Sequence, residues 1–209
     1  MLRKTFKYRL YPSKAQARQL SKTVELCRQW YNACLEERKT VYNMEYLNLS
    51  KFEQLAEVKK FREENVLAAK LHSHILQVVV TDVDKAFSAF LRRVAEEKKE
   101  PGEPRFKGKG RFNSFGLKEY GNGFKIDKKR LWVNGIGRLH VRWHREIEGI
   151  IKTLRVVNHA GKWYACFTCE VEAKLLPKTG KEVGIDVGIY HLLATSDGEI
   201  IENPKWYRA

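Results

Sequence analysis

The chain has 209 residues, and a hydrophobic content of 43% is enough for one large domain or two small ones. Forty lysines and arginines against 25 aspartates and glutamates give a net charge of +15, which favours a polyanionic partner, nucleic acid first. The longest uncharged apolar stretch, residues 71–81, is too short to cross a bilayer, and the amino terminus lacks an apolar signal core. We therefore expect a cytoplasmic protein with no membrane partner.

The amino-terminal segment predicts a strand with a positively charged face. Residues 4–10 alternate basic with apolar or aromatic side chains, as expected for a half-exposed strand. Its cations are candidate nucleic-acid ligands: Lys4, Lys7 and Arg9. A Tyr-Pro pair ends the strand, and Ser13 is a favourable N-cap for a helix. Helical patterns continue at 49–60 and from about 66 to 94, so a helical block follows the first strand.

The character of the chain changes after residue 96. Residues 96–115 are highly charged and contain two prolines and three glycines, which indicates an exposed connection. Short β-like runs separated by glycine turns follow at 123–126, 130–133, 137–142, 151–157 and 162–171. These runs predict an antiparallel β domain of barrel type.

A cationic loop stands between the helical block and the β runs. Residues 105–130 hold nine basic residues against two acidic ones. Within residues 105–112, cations alternate with glycines, which permit close backbone approach to phosphates, and with aromatic rings, which can stack on bases. The candidate ligands here are Arg105, Lys107, Lys109 and Arg111. A loop that only aids solubility is the alternative.

Four cysteines occur as two close pairs, Cys27 with Cys34 and Cys166 with Cys169. Because no secretory signal is present, we do not expect disulfides. The second pair has zinc-knuckle spacing, but a structural zinc site needs four ligands and no further Cys or His pair is suitably placed. Core packing is the favoured interpretation for all four.

One carboxylate interrupts an apolar strand near the end of the chain. Asp186 lies within a predicted strand at 183–187, just before a glycine turn and a second strand at 192–196. An acid at the edge of a buried strand is costly unless it has a metal or another partner. Metal-dependent nucleases of the RNase H-like class begin in this way, and their two-metal chemistry needs several carboxylates.

Two other interpretations of this segment stay open. The pattern Gly-Ile-Asp-Val-Gly at 184–188 also opens the phosphate-binding site of actin-like and Hsp70-like ATPases, although the small hydroxyl residues that normally follow it are missing here. Alternatively, Asp186 has a purely structural role and caps amides of the turn.

Four segments together resemble the TnpB family of transposon-encoded RNA-guided DNA endonucleases, which is related to the type V CRISPR effectors. They are residues 4–31, 104–107, 183–198 and 203–208, and they occur in the order of the family. The resemblance implies an α+β protein: a wedge β-barrel domain from residues 1–10 and 100–176, an inserted helical recognition domain at 11–99, and the first hairpin of a RuvC-like nuclease domain at 182–209.

The resemblance also implies partners and site residues. Asp186 matches the first catalytic aspartate of the family and would bind Mg²⁺, while Gln77 aligns with a position that reads the short DNA motif beside the target. Guide RNA and double-stranded DNA are the implied partners.

The family continues through a second catalytic Glu, a zinc ribbon and a third catalytic Asp, for which this sequence has no counterpart. We therefore expect a truncated endonuclease that is inactive alone and whose site a separately encoded carboxyl-terminal portion could complete. The alternative function is a nuclease-inactive RNA-guided repressor.

Overall fold

A computed structural model describes residues 1–96, 101–173, 180 and 182–205 of the chain. The chain divides into two compact units, Met1–Glu172 and Ala173–Ala209. The expected α+β composition is confirmed. None of the helices in the described ranges combines the length and apolarity that a membrane span requires.

The first unit begins with strand β1 (Leu2–Tyr11) and continues with helices α1 (Lys14–Glu45), α2 (Lys51–Glu64), α3 (Val66–Ala69) and α4 (Ser73–Ala95). The sequence explains where α1 starts. The Ser13 hydroxyl accepts a hydrogen bond from the Gln16 amide, and the Gln16 side chain accepts one from the Ser13 amide, so both partners of a capping box are present. The predicted N-cap is thus confirmed, and a second capping box at Ser50 begins α2.

The remaining strands of this unit are β2 (Ser114–Leu117), β3 (Glu119–Tyr120), β4 (Gly123–Asp127), β5 (Arg130–Val133), β6 (Gly137–Arg142), β7 (Ile150–His159) and β8 (Lys162–Val171). The five predicted β runs correspond to β4–β8. Strand β2 begins inside the connection predicted at 96–115, and β2 and β3 are both too short to show an alternating pattern. Pairing with a neighbour defines them, as when Phe115 of β2 lies opposite Val156 of β7.

Hydrogen bonding joins these strands in the order β2-β7-β8-β1-β6-β5-β4-β3. All pairs are antiparallel except β3 with β4. The expected barrel is therefore not confirmed, because the hydrogen-bonded order of the strands does not close. Its two edge strands, β2 and β3, are nevertheless separated in sequence only by Lys118, so the sheet curls until its edges approach each other.

One face of the curled sheet forms the core. Phe6, Tyr8 and Leu10 alternate along β1 with exposed residues and are almost wholly buried. The Tyr8 ring lies 4.8 Å from Trp143 and 5.9 Å from Phe167. Its hydroxyl donates a hydrogen bond to the Arg145 carbonyl, so this buried polar atom is satisfied.

Helix α4 packs on the opposite face at β2 and β7. Gly116 permits this approach, because a Cβ at that position would lie 2.9 Å from Cγ1 of Val78. Beside it, the Arg155 guanidinium of β7 donates two hydrogen bonds to the Asp82 carboxylate of α4, at 2.8 and 3.0 Å. These contacts hold the helical block against the sheet.

A buried polar network joins three helices. The fully buried Gln54 of α2 accepts a hydrogen bond from Arg38 of α1 at 2.7 Å and donates one to the Cys34 carbonyl at 2.7 Å. The Arg38 guanidinium also reaches Asp84 of α4 at 3.4 Å. Each group has a partner, so burial of the network is compatible with a stable helical block.

The cysteines have the predicted structural role. Cys27, Cys34 and Cys169 are buried free thiols, and Cys166 is half-buried. Burial raises the pKa of the Cys34 thiol to about 12 and raises that of Cys27 further. Within the described chain no group of three His, Cys, Asp or Glu side chains is arranged to hold a metal.

The second unit contains β9 (Ile185–Asp186), β10 (His191–Thr195) and β11 (Ile200–Glu202), paired antiparallel in the order β11-β10-β9. The predicted hairpin of two strands thus gains a third strand, and β10 rather than the strand that carries Asp186 is central. The strand predicted at 183–187 is shorter than expected, since β9 holds only two residues, and Val183, Ile185 and Val187 are 51–70% exposed. Their apolar pattern lacks the covering layer that burial would require.

Candidate nucleic-acid interface

The cationic loop is fixed to helix α1 by its backbone. The Asn32 side chain accepts a hydrogen bond from the Lys107 amide at 2.8 Å and donates one to the Lys107 carbonyl at 3.1 Å. The Arg28 guanidinium donates a further hydrogen bond to the same carbonyl at 2.8 Å. A loop without regular structure is thereby held in one place, against the middle of α1.

Three of the four cationic side chains of this loop are exposed. Arg105, Lys109 and Arg111 are exposed, whereas Lys107 is half-buried and its ammonium lies 5.6 Å from the centre of the Tyr31 ring. Among the described residues, no carboxylate lies within ion-pairing distance of these four cations. Fixed cations without acidic partners are suited to displace counterions from a phosphate backbone.

One acid that feels the charge of the loop, Glu25, is already engaged. Glu25 accepts two hydrogen bonds from Arg28, at 2.6 and 2.9 Å. The hydrogen bond from Arg28 is the main cause that lowers the pKa of Glu25, and the charge of Lys109 lowers it further. Glu25 therefore stays ionised and holds Arg28 in position to anchor the loop, but it does not neutralise the loop itself.

The glycines of the loop are open to solvent. A Cβ at Gly108 or Gly110 would meet no atom within 4 Å, and Gly110 has a φ of +77° that disfavours other residues. The Arg111 amide donates a hydrogen bond to the Gly108 carbonyl, which closes a turn. Open backbone at this turn agrees with the expected close approach of a phosphate, which stays a prediction.

The three candidates on β1 fall on opposite faces of the strand. Lys4 shares the side of Phe6 and forms an ion pair with Glu148 at 2.9 Å. Lys7 and Arg9 lie on the other side, where both contact the Tyr164 ring of β8, at 4.3 and 5.2 Å from its centre. Of these three cations, Lys7 and Arg9 have no carboxylate partner in the described ranges.

Gln77 lies half-buried on α4 and accepts a hydrogen bond from the Lys118 ammonium at 3.2 Å. Partial burial of this ammonium, followed by the charge of Lys51, lowers the pKa of Lys118. The imidazole of His74 is close by, and burial, followed by His72 and Lys118, lowers its pKa as well. Lys118 was absent from the predicted site, because a single lysine between two unrecognised strands gives no pattern in the sequence.

Asp186 lies in the second unit, opposite Ala194 of β10. It is exposed, and its strand is held by a hydrogen bond from the Gly184 amide to the Ser196 hydroxyl at 2.9 Å. Glu202 is paired with His191 at 3.1 Å. Since Mg²⁺ takes six oxygen ligands, Asp186 fits as one of them, but the described residues do not bring the other carboxylates of a metal site to it.

Comparison with known proteins places these features in a family. A family model described as "Helix-turn-helix domain" (HTH_OrfB_IS605) matches residues 1–45. In the structure this range forms strand β1 and the single long helix α1.

Two curated relatives match along nearly the whole chain. "Putative RNA-guided DNA endonuclease" of Streptomyces pristinaespiralis is 31% identical over 99% of this chain and 51% of its own length. "Putative RNA-guided DNA endonuclease InsQ" of Escherichia coli (strain K12) is 28% identical over 94% of this chain and 48% of its own length. The chain thus spans about half the length of these relatives. A chain of the cryo-EM structure of the Cas12f1-sgRNA-target DNA complex matches with a TM-score of 0.42 and 11% identity, over 99% of this chain and 58% of that chain.

The protein is an α+β protein. Its amino-terminal strand and helix match a family model, and its sequence is similar to the two relatives over nearly its whole length. The family model and the two relatives support its assignment to the TnpB family.

Proposed function

We propose that this chain supplies guide-RNA-binding and DNA-binding surfaces of an RNA-guided DNA endonuclease of transposon origin. Two facts support the proposal: both curated relatives carry the name of such an enzyme, and the net charge is +15. The whole activity belongs to proteins about twice as long, so it is binding that we assign to these residues.

The observation that carries the proposal is the anchored cationic loop. Cations on a mobile loop lose conformational entropy when they meet a phosphate. The hydrogen bonds from Asn32 and Arg28 to Lys107 fix the backbone beforehand, so this part of the ordering cost is already met in the free protein. Arg105, Lys109 and Arg111 remain exposed and available to phosphates.

Asp186 completes the proposal as one ligand of a Mg²⁺ site. Mg²⁺ bound by carboxylates would polarise a scissile phosphate and activate a water molecule. The contribution of this chain's own residue is one exposed carboxylate, presented on β9 beside the turn at Gly188.

Filter binding across a salt series tests the assignment of the loop. The change is the joint replacement of Arg105, Lys107, Lys109 and Arg111 by Ala. Each lost phosphate contact should reduce the slope of log affinity against log salt by about 1, so the slope should flatten strongly. The matched control replaces four exposed lysines of the helical block, Lys59, Lys60, Lys70 and Lys85, and removes the same charge. Equal slopes for the two variants would remove the loop from the interface.

Cleavage of guide-matched DNA in Mg²⁺, with the carboxyl-terminal portion of a longer relative added in trans, separates the truncated nuclease from the nuclease-inactive repressor. If Asp186→Asn abolishes cutting and leaves DNA binding unchanged, the result supports a catalytic role for Asp186. If the unaltered chain and the Asp186→Asn variant both bind target DNA and both leave it intact, the repressor is favoured.

A further inference from the structure

Helix α4 begins at a histidine whose two ring nitrogens are both engaged. His72 is the N-cap, and its Nδ1 atom accepts a hydrogen bond from the His74 amide at 3.3 Å. Its Nε2 atom lies 3.0 Å from Oδ1 of Asn122, in the turn between β3 and β4. Because an amide N–H can only donate, Nδ1 carries no proton, and the proton of the neutral ring lies on Nε2 and is donated to Asn122. The imidazole thus caps the helix and connects it to the sheet.

The neighbours of the His72 ring support this assignment of its proton. Nδ2 of Asn122 donates a hydrogen bond to the Glu119 carboxylate at 3.3 Å, so the amide group is oriented with its oxygen toward His72. Gly123 lies against the ring, since a Cβ at that position would be 3.1 Å from both Cγ and Nδ1 of His72. The ring therefore has little room on this side, and its hydrogen bonds select one orientation and one tautomer.

A second imidazole lies against the first. The centres of the His72 and His74 rings are 4.4 Å apart, in an edge-to-face arrangement. Nδ1 of His74 is buried and has no hydrogen-bond partner among the described residues. Burial, followed by the charges of His72 and Lys118, lowers the pKa of His74. Since folding lowers this pKa, the contribution of His74 to stability is present above the ordinary pKa of histidine and is lost as the pH falls through the lowered value.

Protonation of His72 would disrupt one of its two hydrogen bonds. The added proton lies on Nδ1, so two donors, the ring N–H and the His74 amide, would face each other. The new positive charge would also lie at the N-terminus of a helix, where the helix dipole has its positive end. The hydrogen bond to Asn122 would remain, because Nε2 keeps its proton. The loss therefore falls on the cap of α4.

The charged groups around His72 leave the direction of this effect unchanged. The titratable and charged side chains near this end of α4 are His74 of α4, Lys118 and Glu119 beside β3, and Lys51 and Arg62 of α2. All of them are cations or become cations in acid, except Glu119. Glu119 would favour a charged imidazole, but it is exposed and reaches His72 only through Asn122. Solvent screens that attraction, whereas the two opposed donors are in direct contact.

We propose that His72 is a pH-sensitive cap of helix α4. The neutral imidazole holds the first turn of the helix, and the protonated imidazole releases it. The ion pair between Asp82 and Arg155 holds the middle of the helix and involves no imidazole, so acid acts on the beginning of α4. The hydrogen bond between Lys118 and Gln77 adjoins the turn that is released. The inference concerns the free chain and does not rest on the proposed function.

Urea unfolding at about pH 8 and about pH 5, on either side of the range in which imidazoles titrate, tests the cap. His72→Asn supplies an N-cap side chain that accepts in the same way and does not titrate, whereas His72→Ala has no cap. The matched control is His159→Asn, which removes an exposed histidine at the end of β7.

The variants should change order between the two conditions. At the higher pH we expect His72→Ala to raise the equilibrium constant of unfolding about fivefold, the usual effect of a lost cap, and His72→Asn to leave it nearly unchanged. At the lower pH, His72→Ala should no longer be less stable than the unaltered chain, and the unaltered chain should unfold about fivefold more readily than His72→Asn. The His159→Asn control should follow the unaltered chain in both conditions.

Nitrogen NMR of the imidazole rings gives a local measurement on the unaltered chain. At the higher pH, His72 should be the tautomer with its proton on Nε2. On acidification, protonation of His72 at Nδ1 should coincide with the loss of hydrogen-exchange protection at the His74 amide. In the His72→Asn variant the same amide should stay protected, once the intrinsic pH dependence of exchange is taken into account.

Two results would overturn the inference. One is an equal pH dependence of unfolding in the unaltered chain and in His72→Asn. The other is a neutral His72 with its proton on Nδ1, which could not accept from the His74 amide. Neither result involves nucleic acid, so the proposed function would stand, and a chain that binds no nucleic acid would leave the cap of α4 unaffected.

Discussion

Asn32 of helix α1 exchanges two hydrogen bonds with the backbone of Lys107, 75 residues further along the chain. One side chain thus satisfies both polar groups of a residue that belongs to no strand or helix. The amide group of asparagine is suited to this, because it carries a donor and an acceptor side by side. The cationic loop owes its fixed position to this contact.

Replacing Asn32 by Ala should loosen the loop and weaken nucleic-acid binding without removing any charge. Two hydrogen bonds of ordinary strength are lost, so we expect a loss of about 1–2 kcal/mol in the free energy of unfolding. Affinity should fall while the salt slope stays near that of the unaltered chain, since every cation is still present. Urea unfolding and filter binding measure the two effects.

Asn32→Asp is the informative comparison. A carboxylate still accepts from the Lys107 amide but cannot donate to the Lys107 carbonyl. An intermediate loss of stability is therefore expected. Full stability in both variants would show that the hydrogen bond from Arg28 alone fixes the loop.

Gly116 should be intolerant of even one added methyl group. A Cβ there would lie 2.9 Å from Cγ1 of Val78 and 3.5 Å from the Leu154 carbonyl oxygen. Because valine has little rotamer freedom in a helix, Gly116→Ala should cost about 1–3 kcal/mol. Val78→Ala removes the obstructing methyl, so the double variant should recover part of that loss.

Gly108→Ala is the matched control, since a methyl group there meets no atom within 4 Å. Its free energy of unfolding should stay within about 0.5 kcal/mol of the unaltered chain. If Gly116→Ala is equally harmless, the packing of α4 on β2 is looser than the contact with Val78 indicates.

Local signals in the sequence were sufficient for the start of α1 and for the longer strands, whereas the helical pattern predicted from about 66 to 94 is divided into α3 and α4. Ser13 with Gln16 marks the start of α1, and the alternation of residues 137–142 identifies β6 with its observed bounds. Strand β2 carries no such signal, because its partner β7 lies more than thirty residues further along the chain, and β3 is only two residues long.

The same distinction applies to the candidate site. The charge of residues 105–111 is visible in the sequence, whereas its anchor on Asn32 is not. The juxtaposition of Arg9 with Arg142 requires the register of β1 with β6, which no local pattern encodes.

The ion pair between Asp82 and Arg155 should be a measurable link between the helical block and the sheet. Asp82→Ala leaves a guanidinium that is 40% exposed, so solvent screens part of the lost interaction. We expect a loss of about 1–2 kcal/mol in the free energy of unfolding, measured in urea. Adding Arg155→Ala to Asp82→Ala should cost less than Arg155→Ala costs alone. Strictly additive losses would mean that the two side chains do not stabilise each other.

The small sheet of the second unit should exchange its amide protons much faster than the large sheet. Its strands β9 and β11 are two and three residues long, and both lie at edges. Val183, Ile185 and Val187 are exposed, so little apolar burial opposes local opening. By contrast β8 pairs along its whole length with both β1 and β7.

Hydrogen exchange of the free chain, followed by mass spectrometry, compares Ile185–Asp186 and His191–Thr195 with Lys162–Val171. We expect β9 and β10 to exchange at the earliest times and β8 to be protected close to global unfolding. Protection of β9 equal to that of β8 would contradict this account. It would mean that the apolar side chains at 183–187 are covered in solution by a partner surface.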